Sequence, residues 1–376
     1  MRTLALPFAF IVLWVVQGAI ANTTQWGDHF EQFTWAHSLE WGYYKHPPFP
    51  TWLLGGLINT FGPWPYWSYF LAGLCTLATA YFTWRIACRL IGSELAFYAM
   101  LFWGLQQAFS ARAQLYNHNT PMLTAVAATA WFCMRALETR AWHWWALTGA
   151  TAAIAMLSKY QAVVALCGIL LTVYMTGCWR ERRIQLGLIL ASLVFGAFMT
   201  PHLLWLPQHD WAPFHYGSQT EKLGNLPFGF SERLQNIAGF LVQQIRLLFP
   251  ALLLLLIVWV ANKMSHTPAQ AHASDTTPAL PKWRRAWLTG LIAFPLVATT
   301  FICPLCGLHL QNHWGYQCLQ FVAIWAVWML ASRGFVLQAK TWLLAATAIQ
   351  LTFMASISLS VGGARTESLY PAKQLA

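Results

Sequence analysis

The sequence predicts an all-α, polytopic membrane protein, one integral membrane domain over residues 1–376, and three observations predict it. Charged residues are 9% of the chain and hydrophobic residues 58%, whereas an ordinary soluble domain is roughly 25% charged. The apolar residues fall into about eleven runs, most near the ~20 residues that cross a bilayer as a helix. The basic residues sit in short groups between those runs, the pattern that orients membrane proteins. A soluble enzyme, a disordered tail and a disulfide-rich module are excluded by the same composition. The formal net charge is +11, but no amphipathic element collects it, so nucleic acid is excluded as a partner.

The first apolar run, residues 4–21, follows Arg2. Its Ala19-Ile20-Ala21 end imitates a signal-peptidase site. An anchor helix and a cleaved leader both fit, and the many spans that follow favour the anchor. Further spans are expected at 65–91, 94–111, 119–137, 142–158, 160–178, 184–206, 235–261, 286–304, 316–332 and 341–360. With an inside N-terminus, 14 of the 22 Lys and Arg residues fall in inner loops. The outer side then holds seven of eleven acids and nine of twelve histidines. Reactive chemistry is therefore expected on the outer face.

The first outer loop, 22–64, is too patterned to be a connector. Phe30, Phe33, Trp35 and Leu39 alternate with polar residues over 28–40, as in a short helix lying on the membrane. Pro47-Pro48 should break it, and 49–61 resumes an apolar stretch too short to span. The second outer loop, 207–233, contains Gln208-His209-Asp210-Trp211. The inner segment 262–284 reads as a flexible linker. No internal repeat is visible.

No Asp-x-Asp pair, Walker loop, GxGxxG or Gly-x-Ser-x-Gly occurs, which argues against nucleotide-driven or serine-nucleophile chemistry. No cofactor is implied. Asp28, just past the first span, is placed either to cap the interfacial helix or to act as a general base. Lys45-His46, stiffened by Pro47-Pro48, suits a phosphate at headgroup level. A lysine snorkelling beside an aromatic belt is the plainer alternative. Lys159 lies between two apolar runs, where insertion of a lysine costs about 2.5–3.5 kcal/mol. It needs a paired anion, a water-filled cavity or an anionic ligand, a tight outer turn being the plainer alternative. Arg112 and Asn117-His118-Asn119 read similarly, though more weakly. His209-Asp210 could pair, but lone histidines such as His309 and His313 are more often hydrogen-bonded interface residues than metal ligands. Cys303-Pro304-Leu305-Cys306, with Cys318 nearby, reads by default as small-residue packing, a disulfide through Cys318 being the alternative.

Taken together, Asp28, the run Trp35-Ala36-His37-Ser38-Leu39-Glu40-Trp41-Gly42-Tyr43-Tyr44-Lys45-His46-Pro47-Pro48, and Leu157-Ser158-Lys159-Tyr160-Gln161-Ala162 resemble segments of the bacterial protein-mannosyltransferase-like glycosyltransferases. That group includes the lipid A aminoarabinose transferases. Asn117-His118-Asn119-Thr120-Pro121, Trp205…Gln208-His209-Asp210-Trp211 and His313-Trp314 resemble further segments, in order over roughly residues 20–330.

The resemblance implies a C-type glycosyltransferase fold (glycosyltransferase family 39 type) and an inverting transfer on the periplasmic face. The implied donor is a polyprenyl-phosphate sugar and the implied acceptor a periplasmic glycolipid or glycan such as lipopolysaccharide, with the lipid bilayer as the third partner. It assigns the base to Asp28 and the donor phosphate to Lys45, His46, Lys159 and Arg112. Glu31, Tyr44, His209, Asp210 and His313 are the expected sugar or acceptor contacts. The family usually shows Asp-Glu where this chain has Asp28-His29, and some members carry Lys where His46 stands, so the charge of His46 is expected to follow pH. A lipid-linked sugar transporter and a non-catalytic glycan-assembly protein are the rival classes. The long first loop fits an enzyme better than either.

Overall fold

The computed structural model describes residues 5–21, 28–220, 229–264, 280–305 and 307–361, and among these it is entirely helical. Trp26-Gly27 ahead of Asp28, part of the second outer loop (221–228), most of the expected linker (265–279) and Cys306 lie outside the described residues.

The chain opens with α1 (Ala5–Ala21), then two short helices of the first loop, α2 (Asp28–Trp35) and α3 (Phe49–Phe61). The break between them is where the double proline sits, and Pro48 stands at the N-cap of α3, a start for which proline is preorganised. The interfacial helix stops at Trp35, short of the expected residue 40. There the Tyr43 hydroxyl donates to Ser38 O at 2.6 Å and its ring stacks on Trp35 at 5.1 Å, folding the chain back.

α4 (Trp67–Ile91), α5 (Ser93–Leu105), α6 (Asn119–Thr139), α7 (Trp142–Ser158), α8 (Ala162–Thr176) and α9 (Arg182–Gln208) follow. Next come the short α10 (Ala212–Thr220), the long α11 (Phe230–Met264), and α12 (Lys282–Ile302), which carries two π-helical stretches. α13 (Asn312–Leu319) and α14 (Val322–Ser332) form a pair bent by 52°, and α15 (Ala339–Val361) ends the described chain. Among the described residues, five helices have the length and apolarity to cross a bilayer, or six if the bent pair is one span. α1, α5 and α8 are apolar but shorter, so helix length alone does not establish the expected count of about eleven. α5 ends at Leu105 rather than 111 because Gln106 turns extended (φ −65°, ψ 129°).

The alanine-rich α6 is the most enclosed helix, packed between α4 and α7. Small residues set the close crossings, as expected where lipid supplies no hydrophobic drive between helices. A Cβ on Gly168 of α8 would lie 2.1 Å from Gly290 O of α12, so these backbones touch only because both are glycine. Buried amides tie distant helices together. Gln350 of α15 accepts from Trp14 Nε1 at 2.8 Å and donates to Gly104 O at 2.6 Å, linking α1 and α5. Leu186, Ile189 and Leu193 on α9, and Ile245, Phe249 and Leu256 on α11, face outward, as a lipid-facing surface requires. The chain is a multi-pass membrane protein.

Connections collect at two ends. One end carries Arg89, Arg135 and Arg140, paired with Glu138 and Glu181. The other carries the first loop, the α5–α6 and α7–α8 connections, α10 and the segment before α13, and these surround one cavity. Cys318 is buried and its thiol donates to Pro295 O, in keeping with small-residue packing.

Candidate functional site

The cavity has a volume of about 600 Å³. Asp28, Lys45, His46, Arg112, Lys159 and His313 all line it, drawn from five separate segments of the chain. Thr76 and Thr79 of α4, Leu123 of α6 and Ile357 of α15 extend its wall down into the bundle. A ligand with a polar head and an apolar tail would meet matching surfaces in that order.

Asp28 is the first residue of α2. Its Oδ2 accepts from Asn117 Nδ2 at 3.1 Å, so among the described residues the carboxylate is engaged by the α5–α6 connection rather than by the backbone of α2. Asn117 Oδ1 accepts from Asn119 N at 2.9 Å and from Asn119 Nδ2 at 3.2 Å. Asn119 Oδ1 in turn accepts from Lys159 Nζ at 3.1 Å. Lys159 is 9% exposed and sits in extended backbone (φ −162°, ψ 131°) at the break between α7 and α8. The tight-turn reading and the cavity reading of this lysine therefore hold together.

Lys45 lines the cavity but is already paired: Nζ meets Glu31 Oε2 at 2.9 Å and lies 5.5 Å from the Tyr216 ring centroid. Burial works to lower its pKa, yet the hydrogen bond and charge of Glu31 outweigh it and leave the ammonium raised. Glu31 stands one turn after Asp28 on α2. It holds Lys45 at the cavity mouth, where Tyr44 and Tyr216 meet edge to face at 5.6 Å.

The His46 and His118 rings lie against each other, centroids 3.8 Å apart and planes tilted by 40°. Thr51 Oγ1 donates to Gln32 Oε1 at 3.0 Å, which turns the Gln32 amide nitrogen toward His118 Nε2 at 3.1 Å. His118 is thus an acceptor at Nε2 and neutral. Burial pushes both histidines well below the ordinary imidazole value, and Lys159 and Lys45 push them further. His46 lines the cavity, and its burial beside His118 and the two lysines favours the uncharged ring. His29, in the place of the family's glutamate, is also neutral. Its Nδ1 contacts Ser68 Oγ at 3.1 Å, and burial lowers it to about 4. Arg112 lies over the Tyr316 ring at 6.0 Å.

His209 and Asp210 stay outside the cavity lining. The His209 ring stacks on Trp205 at 4.0 Å, and Asp210 and Trp211 adopt left-handed backbone (φ 52° and 54°), making the turn out of α9. Trp205 also packs on the first loop, since a Cβ on Gly42 would lie 2.5 Å from it. Nearby, His202 Nδ1 donates to Trp41 O at 2.6 Å, leaving its Nε2 to accept from the Tyr160 hydroxyl at 2.8 Å. These contacts fix the loop that carries Lys45 and His46.

Gln32, Thr51, Asn117, Asn119 and Tyr216 complete the site without having been assigned to it from sequence. The two asparagines left a trace as polar residues between apolar runs. The others left none. What the assembled groups can do is bind an anion against Lys159 and Arg112 and present a carboxylate, held from one side, to a neighbouring hydroxyl or amine.

Residues 45–205 match the family model for dolichyl-phosphate-mannose-protein mannosyltransferase. That segment includes Lys45, His46, Arg112 and Lys159, while Asp28 precedes it. The fold is that of ArnT from Cupriavidus metallidurans. The structure of ArnT bound to undecaprenyl phosphate aligns with a TM-score of 0.61 at 16% identity, covering 93% of this chain and 62% of that one. The apo state aligns with a TM-score of 0.57 at 15% identity, covering 93% and 63%. The chain thus spans about 62% of the ArnT chain it matches. No curated protein is significantly similar in sequence.

Proposed function

We propose that this chain is an inverting glycosyltransferase that moves a sugar from a polyprenyl-phosphate donor to a glycolipid or glycan acceptor, at the periplasmic face of a bacterial inner membrane. The observation that carries the reading is one cavity joining Asp28 to Lys159 and Arg112 and reaching down into the bundle. The mannosyltransferase family match over 45–205 and the lipid phosphate held by ArnT, a protein of the same fold, support it.

In this reading the acceptor oxygen attacks the anomeric carbon of the donor and forms the new glycosidic bond. Asp28 takes the proton of the attacking hydroxyl. The bond from the anomeric carbon to the phosphate oxygen breaks, and its electron pair leaves on the polyprenyl phosphate. Attack opposite the leaving group inverts the anomeric centre. A phosphate leaves without protonation, so one carboxylate suffices, unlike the two of glycosidases. Lys159 and Arg112 stabilise the charge that grows on the departing oxygen. Lys45, neutralised by Glu31, shapes the mouth of the site with Tyr44 and Tyr216, and His46, His118 and His313 line it. His209 and Asp210 have no part in it.

The test is mass spectrometry of envelope glycolipids from a strain lacking the gene. One sugar mass should disappear from lipopolysaccharide or a related glycan, naming the sugar and the acceptor class together. An unchanged glycolipid profile would count against the proposal.

A further inference from the structure

The hydrogen bonds between Lys159 and Asp28 all point the same way. Lys159 Nζ donates to Asn119 Oδ1, Asn119 Nδ2 to Asn117 Oδ1, and Asn117 Nδ2 to Asp28 Oδ2. A cation heads this chain and the carboxylate ends it. Each amide is polarised by its neighbours in the same sense, and such aligned donors strengthen one another. The chain is also held independently of Asp28. Asn119 N fixes Asn117 Oδ1 at 2.9 Å, Thr120 N donates to Asn117 O at 3.1 Å, and Thr120 Oγ1 donates to Leu115 O at 2.8 Å. Asn117 therefore presents its amide from a preformed turn at the start of α6. Its bond falls on Oδ2 of Asp28, and in the proposed reaction the other carboxylate oxygen takes the proton.

We propose that Asn117 and Asn119 are positioning residues for glycosyl transfer: a two-amide ruler that sets the Asp28 carboxylate at a fixed place and angle relative to the phosphate held at Lys159. This rests on the function proposed above. The base must meet the acceptor on one side of the anomeric carbon while the phosphate departs on the other. A fixed link between the two groups sets that geometry before substrate arrives. Neither asparagine needs to touch substrate. A small displacement of a reacting group costs up to about 100-fold in rate, which is the size of effect a ruler should show.

The experiment uses the full-length protein in detergent with extracted lipopolysaccharide as acceptor and a panel of undecaprenyl-phosphate hexoses and pentoses as donors, measuring release of undecaprenyl phosphate with whichever donor the wild type turns over. Asn117→Ala should lower kcat about 10- to 100-fold and leave the donor KM within about twofold, since no contact to the phosphate is lost. Asn119→Ala, which removes one hydrogen-bond acceptor of Lys159, should change kcat and donor KM together.

Asn117→Asp is nearly isosteric and sets a second carboxylate against Asp28. It should move the acidic limb of the kcat profile to higher pH, because two adjacent carboxylates resist ionising together. Asn117→Ala should show no such movement. Melting temperatures separate misfolding from mispositioning, and the isosteric variant keeps the test alive if the alanine variant does not fold. Wild-type kcat in Asn117→Ala, or a wild-type pH profile in Asn117→Asp, would overturn the ruler while leaving the transferase standing. A wild type that binds undecaprenyl phosphate yet turns over no donor would remove both.

Discussion

The two ends of the bundle handle charge differently. At the end away from the cavity, arginines meet glutamates directly. Arg140 Nη2 reaches Glu181 Oε2 at 2.8 Å, and Arg135 Nη1 reaches Glu138 Oε2 at 2.6 Å. At the cavity end, Lys159 and Asp28 are joined through two asparagine amides. A direct pair spends both charges on each other. A bridged pair holds them apart across a cavity, so each keeps a face toward whatever enters. Lys45 with Glu31 shows that a direct pair was available at this end too, one turn along α2 from Asp28. On the proposed function, the difference separates charges spent on each other from charges kept for a ligand.

The largest expected effect falls on the bridged pair. Lys159→Met should lower kcat/KM for a polyprenyl-phosphate donor by about 10²–10³-fold, the scale set by loss of one preorganised group that stabilises developing charge. Transfer kinetics on the purified variant check it, and a loss under tenfold would erase the distinction between the ends.

Next in size is acid sensitivity at the cavity end. His29 is neutral in the fold, its pKa lowered by burial from 6.5 to about 4. The unfolded chain takes up a proton there as pH falls through 6.5, and the folded chain does not until about 4. Stability from this group is therefore complete above pH 6.5 and is lost progressively down to pH 4, by about 3 kcal/mol. Melting temperature against pH should fall across that window, and His29→Asn should flatten the fall. The far end should show the least. Arg140 and Glu181 are exposed at the surface, where ion pairs contribute little. Glu181→Gln should leave transfer unchanged and the melting temperature within measurement error.

Much of the layout was legible in the sequence. Composition and loop charge gave the helical membrane class. Pro47-Pro48 marked the division of the first loop, and the apolar surroundings of Lys159 marked it as needing a partner or a turn. The failures have physical causes. Asn117 and Asn119 stood out only as polar residues between apolar runs, and without charge they suggested no role. Their role appears only when α2 and the α7–α8 break are brought to the same place. His209-Asp210 drew notice as adjacent titratable residues, but neighbours in sequence need not face one cavity, and here they make the turn out of α9. His46 looked cationic because sequence shows the side chain and hides its burial beside His118 and two lysines. Gln32 and Thr51 look like ordinary polar positions of an interfacial segment until their bond to each other aligns His118.

The most direct test of the account is transfer by the Asp28→Asn variant. Purified wild type and variant would each be incubated with a polyprenyl-phosphate sugar and acceptor glycolipid, and the polyprenyl phosphate released would be counted by mass spectrometry. The wild type should release it. The variant, folded to the same melting temperature, should release it at least about 100-fold more slowly, as loss of a general base requires. Equal release by the two proteins would contradict the account at its centre.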